Sequence, residues 1–132
     1  NICPAGWHVP SDSDWTTLTD YVGYKETVEE YYPGEFQVNV YGAQYLKEAG
    51  TTHWSATNSE TNNSSGFTAL PGGYRKYDGR DYENLGNEGY WWSTSLTTYG
   101  YPIYRRMTQS ENLVEIGSGL KEFVRSVRCV KD

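Results

Sequence analysis

Several things are scarce in this 132-residue chain, and each scarcity removes a class of function. Basic residues are too few to neutralise a phosphate backbone: 11 Lys and Arg stand against 17 Asp and Glu, a formal net charge of -6. DNA, RNA and anionic membrane are therefore excluded as principal partners. No apolar run approaches the ~18 residues of a membrane span, and no secretory h-region is present, so no membrane insertion is expected. Histidine occurs twice, at His8 and His53, and neither lies in HExxH or a Cys/His metal spacing. GxSxG, P-loop and GxGxxG patterns are missing as well. Methionine appears once. The chain begins at Asn1 rather than Met, which suggests a processed or excised segment.

What is abundant is aromatic surface: 13 Tyr, 5 Trp and 3 Phe, or 16% of the chain. The excess of Tyr over Phe calls for rings with one dry face and one wet edge. With 14 Gly and 5 Pro, this composition describes a loop-rich folded chain rather than a disordered one. Its length suits a single domain, residues 1–132, around one core.

The two cysteines, Cys3 and Cys129, sit at opposite ends of the sequence, which rules out a CxxC redox or zinc motif. A disulfide joining the first strand to the last is expected, against two buried free thiols that merely pack. A bridge of that kind belongs to an oxidising compartment: outside the cell, on its surface or in a periplasm.

Local patterning gives an α+β order. A strand is expected over 1–9, ended by Pro10. Ser11 then caps a helix with Asp14 three residues on, and Trp15, Leu18 and Val22 follow at helical spacing to a stop at Gly23. Residues 24–34 read as an acidic, Tyr-rich connector. A second helix is expected over 40–49, capped by Asn39, with Ala43, Leu46 and Ala49 inward and Gly50 as its end. Residues 51–66 read as a long surface loop. Strands are expected at 67–75, 83–85, 89–95, 103–108, 113–116 and 123–130, which places helices in the first half and strands in the second.

Four blocks carry a resemblance. They are Cys3-Pro4-Ala5-Gly6-Trp7-His8-Val9-Pro10-Ser11-Asp12 with Trp15, and Gly66-Phe67-Thr68-Ala69-Leu70-Pro71-Gly72-Gly73-Tyr74-Arg75. Then come Gly89-Tyr90-Trp91-Trp92-Ser93-Thr94 and the closing Ser126-Val127-Arg128-Cys129-Val130. In this order they resemble the Fibrobacter succinogenes major paralogous domain across essentially the whole chain. That resemblance implies a C-type lectin-like fold: two helices packed on a twisted, mostly antiparallel sheet, with paired termini. It also implies a repeated bacterial surface or secreted domain whose ligand is unassigned. Related lectin-like domains serve as variable proteins of diversity-generating retroelements, in which a C-terminal segment is rewritten at adenines. Here the corresponding stretch, 95–125, keeps one Asn, Asn112, within an otherwise mixed segment.

Catalysis is not expected. His8 lies between Trp7 and Val9, where a structural role outweighs a chemical one. Formylglycine-generating enzymes share a lectin-like architecture, but their chemistry needs a reactive thiol pair, and these cysteines look committed to the termini. No cofactor is implied. Asp78, Asp81, Glu83 and Asn84 are hard oxygen donors of the kind calcium prefers, yet Arg80 sits among them and a solvated acidic turn explains them better. Trp54, Trp91 and Trp92 have rings suited to stacking on sugars, although adjacent Trp91 and Trp92 in a strand point to opposite faces, so one must be core.

The remaining window resembles an adaptable binding surface. Tyr99, Tyr101, Ile103 and Tyr104 supply rigid contact area, and Arg106, Thr108, Gln109, Ser110, Glu111, Asn112, Leu113, Glu115 and Leu120 supply polarity and apolar anchors. Val114 and Ile116 fit the sheet's inner face as an alternating pair. The expected function is ligand binding by a bacterial surface protein, of adhesin or receptor type, toward a protein or glycan on another cell or in the medium. Loss of Tyr101 or Arg106 should then remove binding and spare stability. The alternatives are a structural spacer of a cell-envelope protein and a calcium-independent carbohydrate-binding module.

Overall fold

The first helix forms where a capping box permits it. In the computed structural model, which describes residues 2–27, 38–79 and 81–132, α1 spans Asp12–Val22. Ser11 Oγ accepts from the Asp14 backbone N–H at 3.3 Å, and Asp14 Oδ2 accepts from the Ser11 N–H at 2.8 Å. Such a cap contributes about 1 kcal/mol. Trp15 and Thr19 are buried, with Leu18 and Val22 packed beside them. Gly23 ends the helix for a reason other than the left-handed turn its type suggests. Its φ is -152°, and a Cβ there would lie 1.5 Å from the carbonyl oxygen of Tyr41. The glycine is required by backbone approach.

The expected helix over 40–49 is mostly not helical. Val38–Tyr41 is a strand, β3, and only Ala43–Leu46 makes a single helical turn, α2. Asn39 therefore lies in a ladder opposite Glu26 of β2 (Tyr24–Thr27) instead of capping a helix. Alternating β-branched residues favour the strand, and Val40 is buried opposite Val114. Of the expected acidic connector, residues 24–27 form β2, and 28–34 lie outside the described residues.

The second half supplies β4 (Tyr74–Arg75), β5 (Tyr82–Glu83), β6 (Glu88–Leu96), β7 (Pro102–Thr108) and β8 (Leu113–Ser118). At the ends of the chain, β1 (Trp7–His8) pairs antiparallel with β9 (Val130–Lys131). The main sheet has five strands in the order β2-β3-β8-β7-β6, all antiparallel. The separation of helices from strands along the sequence is thus incomplete, because β2 and β3 precede α2 and complete the sheet. The strands expected over 1–9 and 123–130 shrink to two residues each. Much of the latter run is tied down by single bridges instead, Arg75 to Val124 and Trp91 to Ser126.

The core lies between α1, α2 and the inner face of the sheet: Trp15, Ala43, Leu46, Trp54, Ala69, Trp91, Met107 and Val114. Trp15, Phe67 and Trp91 meet at ring-centroid distances of 5.6, 6.1 and 6.3 Å. Pairs of this kind contribute about 0.5–1.5 kcal/mol beyond burial. Residues 51–66 are a loop as expected, but Trp54 within it is 1% exposed and donates its indole N–H to the Ala69 carbonyl at 3.0 Å. It is core and offers no face to a sugar. Arg105 also points inward, 1% exposed, with Nη1 2.7 Å from Asp12 Oδ1 at the start of α1.

Cys3 and Cys129 form a disulfide across a sequence separation of 126. In the chain-entropy account a loop of this length stabilises by about 5 kcal/mol. Replacing both cysteines with serine should remove most of that, read as a large drop in thermal midpoint that reducing agent reproduces in the parent and leaves unaltered in the variant.

Candidate ligand-binding surface

Strand alternation sorts the residues of the C-terminal window. In β7, Arg105 and Met107 face the core, and Ile103 shares their side by register. Tyr104, Arg106 and Thr108 face outward. Cross-strand pairing sets Arg106 between Tyr90 and Glu115, and Tyr104 between Trp92 and Gly117. Trp91 is core at 6% exposure, so Trp92 takes the outer face.

Much of that outer face is already occupied. The Arg125 guanidinium stacks 4.0 Å from the Tyr104 ring and 4.2 Å from Trp92. Tyr74 closes edge-on against Tyr90 and Phe123. Gly117 is needed beneath this stack, since a Cβ there would sit 2.5 Å from the Tyr104 ring. Tyr104 is thus a packed ring rather than an open anchor.

Toward the other end of β7 the outer surface is polar and concave. Asn87, Glu88, Arg106, Thr108, Gln109, Ser110, Glu111 and Glu115 line a hollow of 260 Å³. Arg106 braces it, with Nη2 2.6 Å and Nε 3.2 Å from the two oxygens of Glu88, and Nη1 2.5 Å from Glu115. Burial opposes the charge of Glu88, but hydrogen bonds from Arg106 and Tyr90 hold its carboxyl below the usual range. For Arg106 burial again opposes charge, and Glu88 with Glu115 outweighs it, so the guanidinium titrates above its ordinary value. Arg106 is a structural strut as well as a lining residue. Its loss should therefore lower stability, contrary to the expectation from sequence.

Beneath the β7–β8 turn lies Lys47, which is 0% exposed. Its Nζ donates to the carbonyls of Thr108 at 3.0 Å, Gln109 at 3.3 Å and Glu111 at 2.8 Å. It also sits 5.6 Å from the Trp54 ring centroid. The 51–66 loop braces the same turn: Ser55 contacts Asn87 and Gln109, and Asn112 bonds both Asn58 and Glu60. Asn112 is a brace here, outside the hollow's lining.

Tyr99, Tyr101 and Leu120 lie elsewhere. They are 65%, 45% and 49% exposed, with Tyr99 and Tyr101 at the β6–β7 turn. The seven residues of β7, about 20 Å of strand, separate that turn from Ser110. Leu113 sits across from Tyr41, partly buried. The window read as one surface is therefore two, at opposite ends of one strand.

Other candidates resolve structurally. His8 Nδ1 lies 2.6 Å from Asp132 and Nε2 3.4 Å from Asp14, and Asp132 raises its pKa. Both Glu83 oxygens are engaged, one by Lys76 and one by the Tyr74 hydroxyl. Among the described residues no group of three His, Cys, Asp or Glu is placed to hold a metal. Lys47, Asn87, Glu88 and Arg125 were not anticipated from sequence. Lys47 carried a usable signal, because four residues beyond Ala43 it shares the face assigned to the core.

These features define a disulfide-closed α+β module whose antiparallel sheet carries a polar hollow at one end. The chain belongs to the Fibrobacter succinogenes major domain family, whose profile matches residues 1–131. No curated protein and no solved structure gives a match.

Burial pushes the Lys47 pKa down from 10.5 to about 8, with Glu111 acting in the opposite direction. The folded chain therefore releases this proton before the unfolded chain does. Its charge costs stability below about pH 8, and that cost is recovered as pH rises toward 10.5. Lys47→Met leaves three turn carbonyls without their donor and should destabilise the fold by about 3–5 kcal/mol. Denaturant melts should show the advantage of the parent over this variant widening from pH 8 to 10.

Proposed function

We propose that this domain is a ligand-binding module of a bacterial surface or secreted protein, that it performs no chemistry, and that its fold is C-type lectin-like. The observation that carries the binding reading is convergence. Arg106, Thr108, Gln109, Ser110, Glu111 and Glu115, residues singled out for their types, line one concave surface. The paired termini, two helices and terminal disulfide support the lectin-like reading, and the disulfide suits an oxidising compartment.

The chemistry of the hollow narrows the ligand. Glu88, Glu111 and Glu115 outnumber the single Arg106, so an anionic ligand is disfavoured. Hydroxyl, amide and carboxylate groups together favour a neutral or cationic polar ligand that both donates and accepts, such as a glycan or a polar peptide loop. Ser110 and Glu111 are exposed on the turn, while Lys47 holds the carbonyls below them and Ser55 of the 51–66 loop holds the Gln109 side chain beside them. A rigid turn with replaceable side chains is also the arrangement that retroelement diversification of this segment would exploit.

Arrays of defined oligosaccharides and peptides should retain the domain. Ser110→Trp, which fills the hollow from an exposed position, should abolish retention with the thermal midpoint unchanged. A spacer would be retained by nothing on either array. Codon-by-codon sequencing of this gene across a host population should show replacements concentrated at 110 and 111, with Lys47, Arg106 and Glu115 constant. Even variation along the chain would remove the diversification reading and leave the binding reading to the arrays.

A further inference from the structure

On the α1 side of the molecule, the β1–β9 pair and the start of α1 enclose a second hollow of 320 Å³. That volume is at the lower end of small-molecule sites, about 300–1,000 Å³, and has room for one substituted ring. Trp7, Trp15 and Phe67 line it together with Leu18 and Val130. Trp7 leaves 41% of its surface exposed, an uncommon position for the largest apolar side chain. Trp15 is 2% exposed, and its indole N–H has no hydrogen-bond partner among the described residues. A buried donor left unmade is costly, and here it belongs to a lining residue.

The charges at this hollow are opposite in sign to those of the polar one. Arg128, stacked 4.7 Å over the Phe67 ring, and Lys131 both line it, and neither has an ion-pair partner among the described residues. Asp14 lines it too, but its carboxylate already accepts from the Ser11 N–H and Ser11 Oγ and faces His8. The unspent charge is cationic, on a protein whose net charge is -6.

We propose that this hollow is a binding site for a small aromatic carboxylate. The ring lies among Trp7, Trp15 and Phe67, and the carboxylate meets Arg128 and Lys131. Guanidinium matches a carboxylate in plane and stacks on a ring, so Arg128 suits both halves of such a ligand. The site is separate from the polar hollow and does not depend on that reading.

The test uses three probes that share a phenol ring: 4-hydroxyphenylacetate, 4-methylphenol and tyramine, which are anionic, neutral and cationic. Titrations followed by the tryptophan indole N–H resonances, assigned with Trp7→Phe, should move the Trp7 and Trp15 signals. The acid should bind with a Kd of about 1 mM or tighter, and tyramine roughly tenfold or more weakly. Lys131→Gln and Arg128→Gln should each weaken the acid about tenfold without altering binding of 4-methylphenol. Lys131 lies outside the Phe67 stack, so it decides the matter if the Arg128 variant is unstable. Ser110→Trp should have no effect. Equal binding of the three probes, or no movement of either indole signal, would overturn the proposal.

Discussion

One ammonium group ties three parts of this fold together. Lys47 follows the α2 turn, rests against Trp54 of the long loop and donates to three carbonyls of the β7–β8 turn. A buried cation with no buried carboxylate beside it is costly unless dipoles converge on it. Here they do, and the carbonyls of Thr108, Gln109 and Glu111 are held at a fixed height above the core. The polar hollow is therefore shaped from below and from the side: its floor is main chain pinned by lysine, and its walls are braced by Arg106 against Glu88 and Glu115.

The reach of each interaction along the chain explains what could be read from sequence. The capping box of α1 was legible because Ser11 and Asp14 act on one another three residues apart, and the disulfide was legible because only two cysteines exist. The helix expected over 40–49 rests on the spacing of Ala43, Leu46 and Ala49, and only Ala43–Leu46 is helical, because Val38–Tyr41 just before it is held in the sheet. The partner that makes it a strand, β8, lies some seventy residues further along the chain. Arg125 was invisible for a similar reason. Nothing nearby announces a guanidinium between two rings, and the rings belong to Trp92 and Tyr104. Alternation in β7 gives Arg106 to the outer face and Arg105 to the core, a separation visible once the strand's register is known. It could not show that the ends of that strand present different surfaces.

The sheet thereby acquires two unequal sides. Its outer side is closed over Tyr90, Trp92 and Tyr104 by Arg125 and the neighbouring aromatic rings, which leaves the polar rim as its concave part. Its inner side is sealed by α1, except where the chain ends meet and aromatic surface reaches solvent beside two cations. Acidic and basic hollows on one small acidic domain repel and attract different solutes, so occupation of one need not compete with the other.

The meeting of the chain ends has a mechanical consequence. A pull applied at both ends enters through the residues outside the Cys3–Cys129 ring and passes directly across the sulfur–sulfur bond. The span between them, a sequence separation of 126, carries no tension; without the bond it would yield roughly 400 Å of slack on unravelling. Under shear the ring between the two cysteines behaves as an inextensible bead, so the main sheet, its turn and the polar hollow keep their shape, whereas Val130 and Lys131, outside the ring, carry the load and the hollow they line is the part exposed to it.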